Sequence, residues 1–142
     1  MTPPRSCAFC AIVSGGEAHR VYEDDAVVAI LDRAPLIKGH VLVMPREHVP
    51  TLDDLPERLM VPVVSLVQRT SRAFQRSLGA DGSLTLANTR VSQSVPHAHV
   101  HVVPRREGDG LFSARMIWKR TRYADGEAAQ LATRLREAIA AS

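Results

Sequence analysis

The stretch Pro96-His-Ala-His-Val-His-Val-Val-Pro104 places histidines at positions 97, 99 and 101, each separated from the next by one small apolar residue. A β-strand sends successive side chains to opposite faces, so His97, His99 and His101 share one face and Ala98, Val100 and Val102 occupy the other. Each imidazole has two ring nitrogens that need partners once water is removed. Three of them in an apolar core would be costly, so this face is either wet or chemical. Two chemistries suit it. A histidine can act as a nucleophile, or His-x-His on a strand with a third histidine can hold a catalytic zinc that activates water.

The rest of the chain supplies a frame for that strand. Val21 to Glu23 and Ala26 to Leu31 read as a hairpin turning at Asp24-Asp25, and His40 to Met44 as a third strand closed by Pro45. From Leu55 to Leu78 the positions Leu59, Val63, Leu66, Val67, Thr70, Phe74 and Leu78 recur at three and four, the spacing of an amphipathic helix. Pro62 implies either a later start or a bend, and Gly79 is a natural cap. Ser83 to Ala87 is a fourth strand, Val95 to Val103 the histidine strand, and Asp125 to Ala140 a final helix with Asp125 as N-cap. This order predicts an α+β antiparallel sheet with one long helix and a C-terminal helix packed on it.

Composition narrows the setting. At 142 residues the chain fits one domain. No apolar run reaches the roughly 20 residues of a membrane span, and Met1-Thr-Pro-Pro-Arg-Ser-Cys7 lacks a signal-peptide core, so a cytoplasmic protein without membrane contact is expected. With aromatic content at 4% there is little interleaving of rings and cations, which argues against a nucleic-acid partner. The positive cluster Arg115, Lys119, Arg120 and Arg122 reads as a solvated surface. Met116 to Tyr123 is read as a surface strand or loop, the other reading being a place near the histidine strand to which arginines and Trp118 could contribute. Cys7 and Cys10 form one C-x-x-C, a spacing that in a cytosolic chain favours metal binding or redox work over a structural disulfide.

The run His97-Ala-His-Val-His-Val-Val103 resembles the histidine triad (HIT) motif, in which three histidines alternate with apolar residues. The flanks extend the resemblance: Cys7-Ala-Phe-Cys-Ala-Ile-Val13, Asp32 followed by Pro35, Gly39-His40, Val43-Met-Pro-Arg-Glu-His48, Gln93-Ser-Val95, and Pro104-Arg-Arg106. It implies a single HIT domain over residues 5–142, with the motif blocks in 7–106 and an extension in 107–142. The fold implied is an antiparallel sheet of about five strands per subunit in a homodimer.

The activity implied is that of a nucleotide hydrolase or nucleotidyl transferase acting at the α-phosphate. His99 would attack phosphorus and form a nucleotidyl-histidine intermediate, releasing a nucleoside monophosphate from a nucleoside 5′-phosphoramidate or a dinucleoside polyphosphate. By the family pattern His101 contacts phosphate oxygens, Ser94 the leaving group, and Gln93 the phosphate or bridging oxygen. Asp32 accepts from the ribose hydroxyls, Asn88 lies near ribose and phosphate, and the substrate is a purine nucleotide. Asn88-Thr-Arg-Val-Ser-Gln93 departs from the pattern, since it has no glycine where many members carry two. Cys7, Cys10, His48 and His97 match a structural zinc site of some bacterial members, and no organic cofactor is called for. His19 and His40 are read as structural. Two other functions stay open: a non-catalytic nucleotide-binding adaptor acting through its dimer surface, and a zinc-dependent hydrolase with the three histidines as ligands.

Overall fold

A computed structural model describes residues 6–112 and 120–141. The elements in chain order are helix α1 (Ala8–Val13), strands β1 (Arg20–Glu23), β2 (Val27–Leu31) and β3 (Val41–Pro45), helix α2 (Glu57–Leu78), strands β4 (Gly82–Leu86) and β5 (Val100–Arg105), and helix α3 (Glu127–Ala140). The strands form one antiparallel sheet in the order β1-β2-β3-β5-β4. The expected α+β antiparallel sheet of about five strands is therefore what the chain forms.

Strand alternation assigns each residue to a face. Val27, Ala29 and Leu31 of β2, Val41 and Val43 of β3, and Val100 and Val102 of β5 join the main core under α2 and α3. On the other face Val28, Ile30, Leu42 and Met44 pack with Cys7 and Phe9 from α1 and its approach. Both faces of β2 and β3 are covered, so all ten of their residues are buried, which is why these strands read as unbroken apolar runs. His101 lies opposite Leu42 in the ladder and so belongs to the α1 face.

Local chemistry fixes the ends. Asp24 turns the first hairpin by accepting the backbone N–H groups of Ala26 and Val27 at 2.8 and 2.9 Å. In α2 the buried stripe Leu59, Val63, Leu66, Thr70 and Phe74 faces the sheet. Each such apolar side chain contributes on the order of 2 kcal/mol by leaving water. Pro62 stays inside this helix; it lies in the second turn, where its missing N–H leaves the Arg58 carbonyl without the usual helical donor. Gly79 ends the helix with φ 61°, a left-handed conformation that glycine adopts without penalty. The guanidinium groups of Arg106 and Arg134 donate to the last carbonyls, of Leu78 and Ser77.

Two expected boundaries are corrected. The histidine strand does not run from Val95 to Val103 but from Val100 to Arg105. Pro96 has no N–H to offer, the His97 N–H folds back to the Val95 carbonyl at 2.8 Å, and the Ala98 N–H donates to the Val49 carbonyl at 2.6 Å, beyond the end of β3. His97 and His99 thus precede the ladder. The last helix starts at Glu127 rather than after Asp125. Gly126 takes the cap position at φ 75°, and the Glu127 carboxylate accepts the Ala124 N–H at 3.0 Å.

Candidate functional site

The triad divides between two clusters, and backbone acceptors decide which nitrogen of each ring carries the proton. His97 is fully buried. Its Nε2–H donates to the Pro45 carbonyl at 2.8 Å, which leaves the Nδ1 lone pair 3.6 Å from Cys7 Sγ and 3.5 Å from Cys10 Sγ. His48, carried on the loop after β3, places its Nδ1 3.2 Å from Cys10 Sγ. The four candidate ligand atoms of Cys7, Cys10, His48 and His97 all lie within 4.8 Å of one another. Zinc bonds of about 2.3 Å to sulfur and 2.0–2.1 Å to nitrogen give a tetrahedron whose sulfur–nitrogen edges are about 3.5 Å. The observed spacings match that edge, the ligand set is two thiolates and two imidazoles, and the Pro45 carbonyl orients one ring from outside. These residues fit a structural zinc. Burial and the adjacent Cys7 thiol push the Cys10 thiol up to about 11 in the bare protein, a penalty that a bound cation offsets.

His99 is oriented the other way round. Its Nδ1–H donates to the carbonyl of His97 at 2.7 Å, so its Nε2 carries the lone pair. Burial lowers its pKa, opposed by that hydrogen bond and by Asp32. Phe9 packs edge-on against the ring at 5.0 Å, and His101 lies 5.0 Å away on the other side.

His101 belongs to a relay that begins in the backbone. The Leu36 N–H donates to His40 Nδ1 at 3.1 Å, so His40 must carry its proton on Nε2, which lies 2.9 Å from His101 Nδ1. His101 then accepts at Nδ1 and is a donor at Nε2. Burial holds both rings neutral, pushing His40 and His101 each down to about 4. Asp32 Oδ2 sits 3.8 Å from His40 Nδ1, but that nitrogen faces it with a lone pair, so the contact is not an ion pair. Asp32, His40 and His101 also offer three atoms in metal-ligand range. Both nitrogens of His40 and Nδ1 of His101 are, however, committed to the relay. Among the described residues no cluster unites all three triad histidines, so the arrangement does not match three imidazoles around one catalytic ion.

The other expected residues are placed as follows. Asp32 Oδ1 accepts the Ala34 N–H at 2.9 Å and closes the turn before Pro35, while its second oxygen lies beside His40. Gln93 spends its amide on the backbone: Nε2 donates to the carbonyls of Pro50 (2.7 Å) and Val95 (3.1 Å), and Oε1 accepts the Arg90 N–H at 2.8 Å. Asn88 donates across the same loop to the Ser92 carbonyl at 3.2 Å. Ser94 is exposed in the bend leading to His97. Arg90 and Ser92 hold φ at 64° and 61°, the conformation in which glycines would be unstrained; each non-glycine residue there costs about 1 kcal/mol. His99, His101 and Asp32 retain only 5, 6 and 9% of their surface, so a ligand meets a narrow rim and water is largely kept from the rings.

Sequence reasoning missed His40. Alternation puts residues 40, 42 and 44 on one face, but that this face meets His101 is fixed only by the pairing of Leu42 with His101 in the fold. The surface reading of Met116 to Tyr123 is also incomplete. Arg115, Met116, Trp118 and Lys119 lie outside the described residues, but Arg120 lies against Asp32, its Nη1 3.5 Å from Oδ1.

A one-sheet α+β domain with imidazoles of fixed, neutral tautomer beside a carboxylate and next to a Cys2His2 cluster defines a protein class built for nucleophilic or binding chemistry on one sheet end. The HIT domain model matches residues 15–108, and the chain belongs to the histidine triad family. It is 34% identical over 138 residues to the adenylylsulfatase HINT3 of Arabidopsis thaliana, covering 95% of this chain and 70% of that one. It is 34% identical over 103 residues to the adenosine 5′-monophosphoramidase hnt1 of Schizosaccharomyces pombe, covering 70% and 74%. A zinc-bound histidine triad family protein from Mycobacterium smegmatis superposes with a TM-score of 0.82 at 39% identity, covering 96% of this chain and 94% of that one. The family thus includes nucleotide hydrolases and at least one zinc-bound member. Among the described residues no helix is long and apolar enough to cross a membrane.

Proposed function

We propose that this chain is a nucleotide hydrolase that acts at the α-phosphorus through a covalent intermediate on His99. The observation that carries the reading is the His99 Nδ1–H bond to the His97 carbonyl at 2.7 Å, which leaves Nε2 unprotonated and aimed by the backbone. The Nε2 lone pair attacks phosphorus as the bond to the leaving group breaks. The leaving group takes a proton that the exposed Ser94 hydroxyl passes on, Ser94 accepting one from solvent water as it donates its own. Water then splits the phosphorus–nitrogen bond, returning His99 to its neutral state and releasing a nucleoside monophosphate. His101, made an Nε2 donor by His40, stabilises the equatorial oxygens as charge builds on them. Asp32 accepts from the ribose, Asn88 borders it, and Gln93 reaches phosphate only by exchanging its present backbone partners.

The leaving group is an amine or a comparable small group on a nucleoside 5′-phosphate, with dinucleoside polyphosphates as the second class. The phosphoramidase and adenylylsulfatase relatives support the first. The base is read as a purine and the assembly as a homodimer, for which the exposed Met60, Val61 and Val64 on α2 offer apolar surface. Zinc, when bound by Cys7, Cys10, His48 and His97, supplies a rigid closed anchor for the segment that presents His99.

The test is a rapid quench with adenosine 5′-phosphoramidate labelled in the phosphate. Acid-labile label should appear on the protein within one turnover and map to His99. Turnover without any adduct, or an adduct on another residue, would overturn the reading.

A further inference from the structure

We infer that Arg120 is a positioning residue for the ribose-binding carboxylate, so that the segment after the triad sets how strongly the site distinguishes a ribose from a sugar lacking its hydroxyls. This rests on the ribose role proposed for Asp32. The segment is strapped onto the connection between β2 and β3 by two backbone-anchored contacts. The Thr121 N–H donates to the Pro35 carbonyl at 2.9 Å, and the Gly39 N–H donates to the Tyr123 hydroxyl at 3.2 Å. Tyr123 packs against the main core, and Lys38 and Glu127 pair at 2.9 Å across the same connection. The strap therefore has its fixed points on the connection that follows the Asp32–Ala34 turn.

From that strap the Arg120 guanidinium reaches back over the turn. Its Nη1 donates to the Ala34 carbonyl at 2.5 Å and lies 3.5 Å from Asp32 Oδ1. Oδ1 also receives the Ala34 N–H at 2.9 Å. Two donors thus converge on one carboxylate oxygen. That pins the rotation of the group and leaves Oδ2, beside the His40 ring, as the oxygen whose neighbour offers it no proton. A carboxylate used to read vicinal hydroxyls needs that fixed orientation, since a freely turning acceptor gives up rotational entropy on each binding event. As an isolated ion pair the contact is worth little, because the Arg120 side chain is 45% exposed. Its value lies in orientation.

The experiment measures binding of AMP and of 2′,3′-dideoxy-AMP to the full chain by calorimetry. Wild type should prefer AMP. Arg120→Ala should weaken AMP about tenfold, the size of one hydrogen bond to a charged group, and leave dideoxy-AMP unchanged. Arg120→Lys should restore part of the preference. If Arg120→Ala keeps the full preference, or weakens both nucleotides alike as general loosening would, the inference is overturned while the role of Asp32 stands. If wild type itself shows no preference, the ribose role of Asp32 fails and the inference fails with it. An Asp32→Asn control, which should abolish the preference, separates these cases.

Discussion

Two groups of imidazoles lie at the same end of the sheet, yet they are prepared for opposite tasks. In the cluster of Cys7, Cys10, His48 and His97, the Pro45 carbonyl holds the Nε2 proton of His97 and turns its Nδ1 lone pair toward two sulfurs. In the neighbouring group, the His97 carbonyl holds the Nδ1 proton of His99 and frees Nε2, while the Leu36 N–H sets off a relay through His40 to His101. The side chains are chemically identical. What differs is the partner each ring meets, and that fixes which nitrogen carries the proton, as the proposed roles of metal ligand, nucleophile and hydrogen-bond donor require. The first group is closed, with its ligand atoms converging within 4.8 Å. The second is a chain of donors and acceptors that does not converge on one point. His97 belongs to both, by side chain to one and by carbonyl to the other.

This division is broken most severely by His99→Asn. Removing the nucleophile should lower turnover of a phosphoramidate by at least about 10³-fold and abolish the adduct, while metal content and melting temperature stay at wild-type values. If the variant also lost its metal, the two groups would not be separable. The converse variant, Cys10→Ser, should lose the metal and with it on the order of 4 kcal/mol of stability, the amount expected for a ligand present at about a thousand times its dissociation constant. Adduct formation should survive with a rate loss of no more than about tenfold, because the Pro45 bond at 2.8 Å still holds the His97 ring and its peptide. Metal analysis, thermal denaturation and the quenched-label assay on both variants check this. Complete loss of adduct in Cys10→Ser would make the metal centre part of the reacting geometry.

Much of this was readable before folding. The sheet class, the hairpin at Asp24-Asp25 and the cap at Gly79 follow from alternation and turn chemistry, whereas the four members of the Cys/His cluster are what the resemblance to the histidine triad family implies. The misses have a common physical cause, which is dependence on groups distant in sequence. The late start of β5 reflects the Ala98 N–H finding the Val49 carbonyl, a pairing that period-two alternation does not encode. His40 was set aside because it adjoins a glycine, although its partner is His101, 61 positions away. Gln93 fits the motif, but its amide partners, Pro50 among them, are settled only by the folded loop. Arg120 looked like surface because a cationic run usually is; its approach to Asp32 arises from contacts of the strap with Pro35 and Gly39.

The effect that isolates the histidine relay from the Cys/His cluster is acid sensitivity. His40 and His101 are pushed down to about 4 from the ordinary 6.5, chiefly by burial, with Asp32 opposing the shift in both. Between those two values the unfolded chain binds protons that the folded chain refuses, so the stability these rings contribute falls as pH drops from about 6.5 to about 4, and their share of the loss is complete below that window. The closed cluster adds its own loss in acid when its ligands protonate and release the metal. Denaturant titrations of the metal-free Cys10→Ser chain remove that contribution. What remains should still decline over the window, and His40→Leu, which deletes one of the rings that burial keeps neutral, should make that decline shallower. A metal-free chain with no decline between pH 6.5 and 4 would mean that the relay accepts a proton without penalty. His101 would then be as ready to be a cation as a neutral donor, and the comparison between a closed metal cluster and a neutral, pre-oriented reactive group would no longer hold.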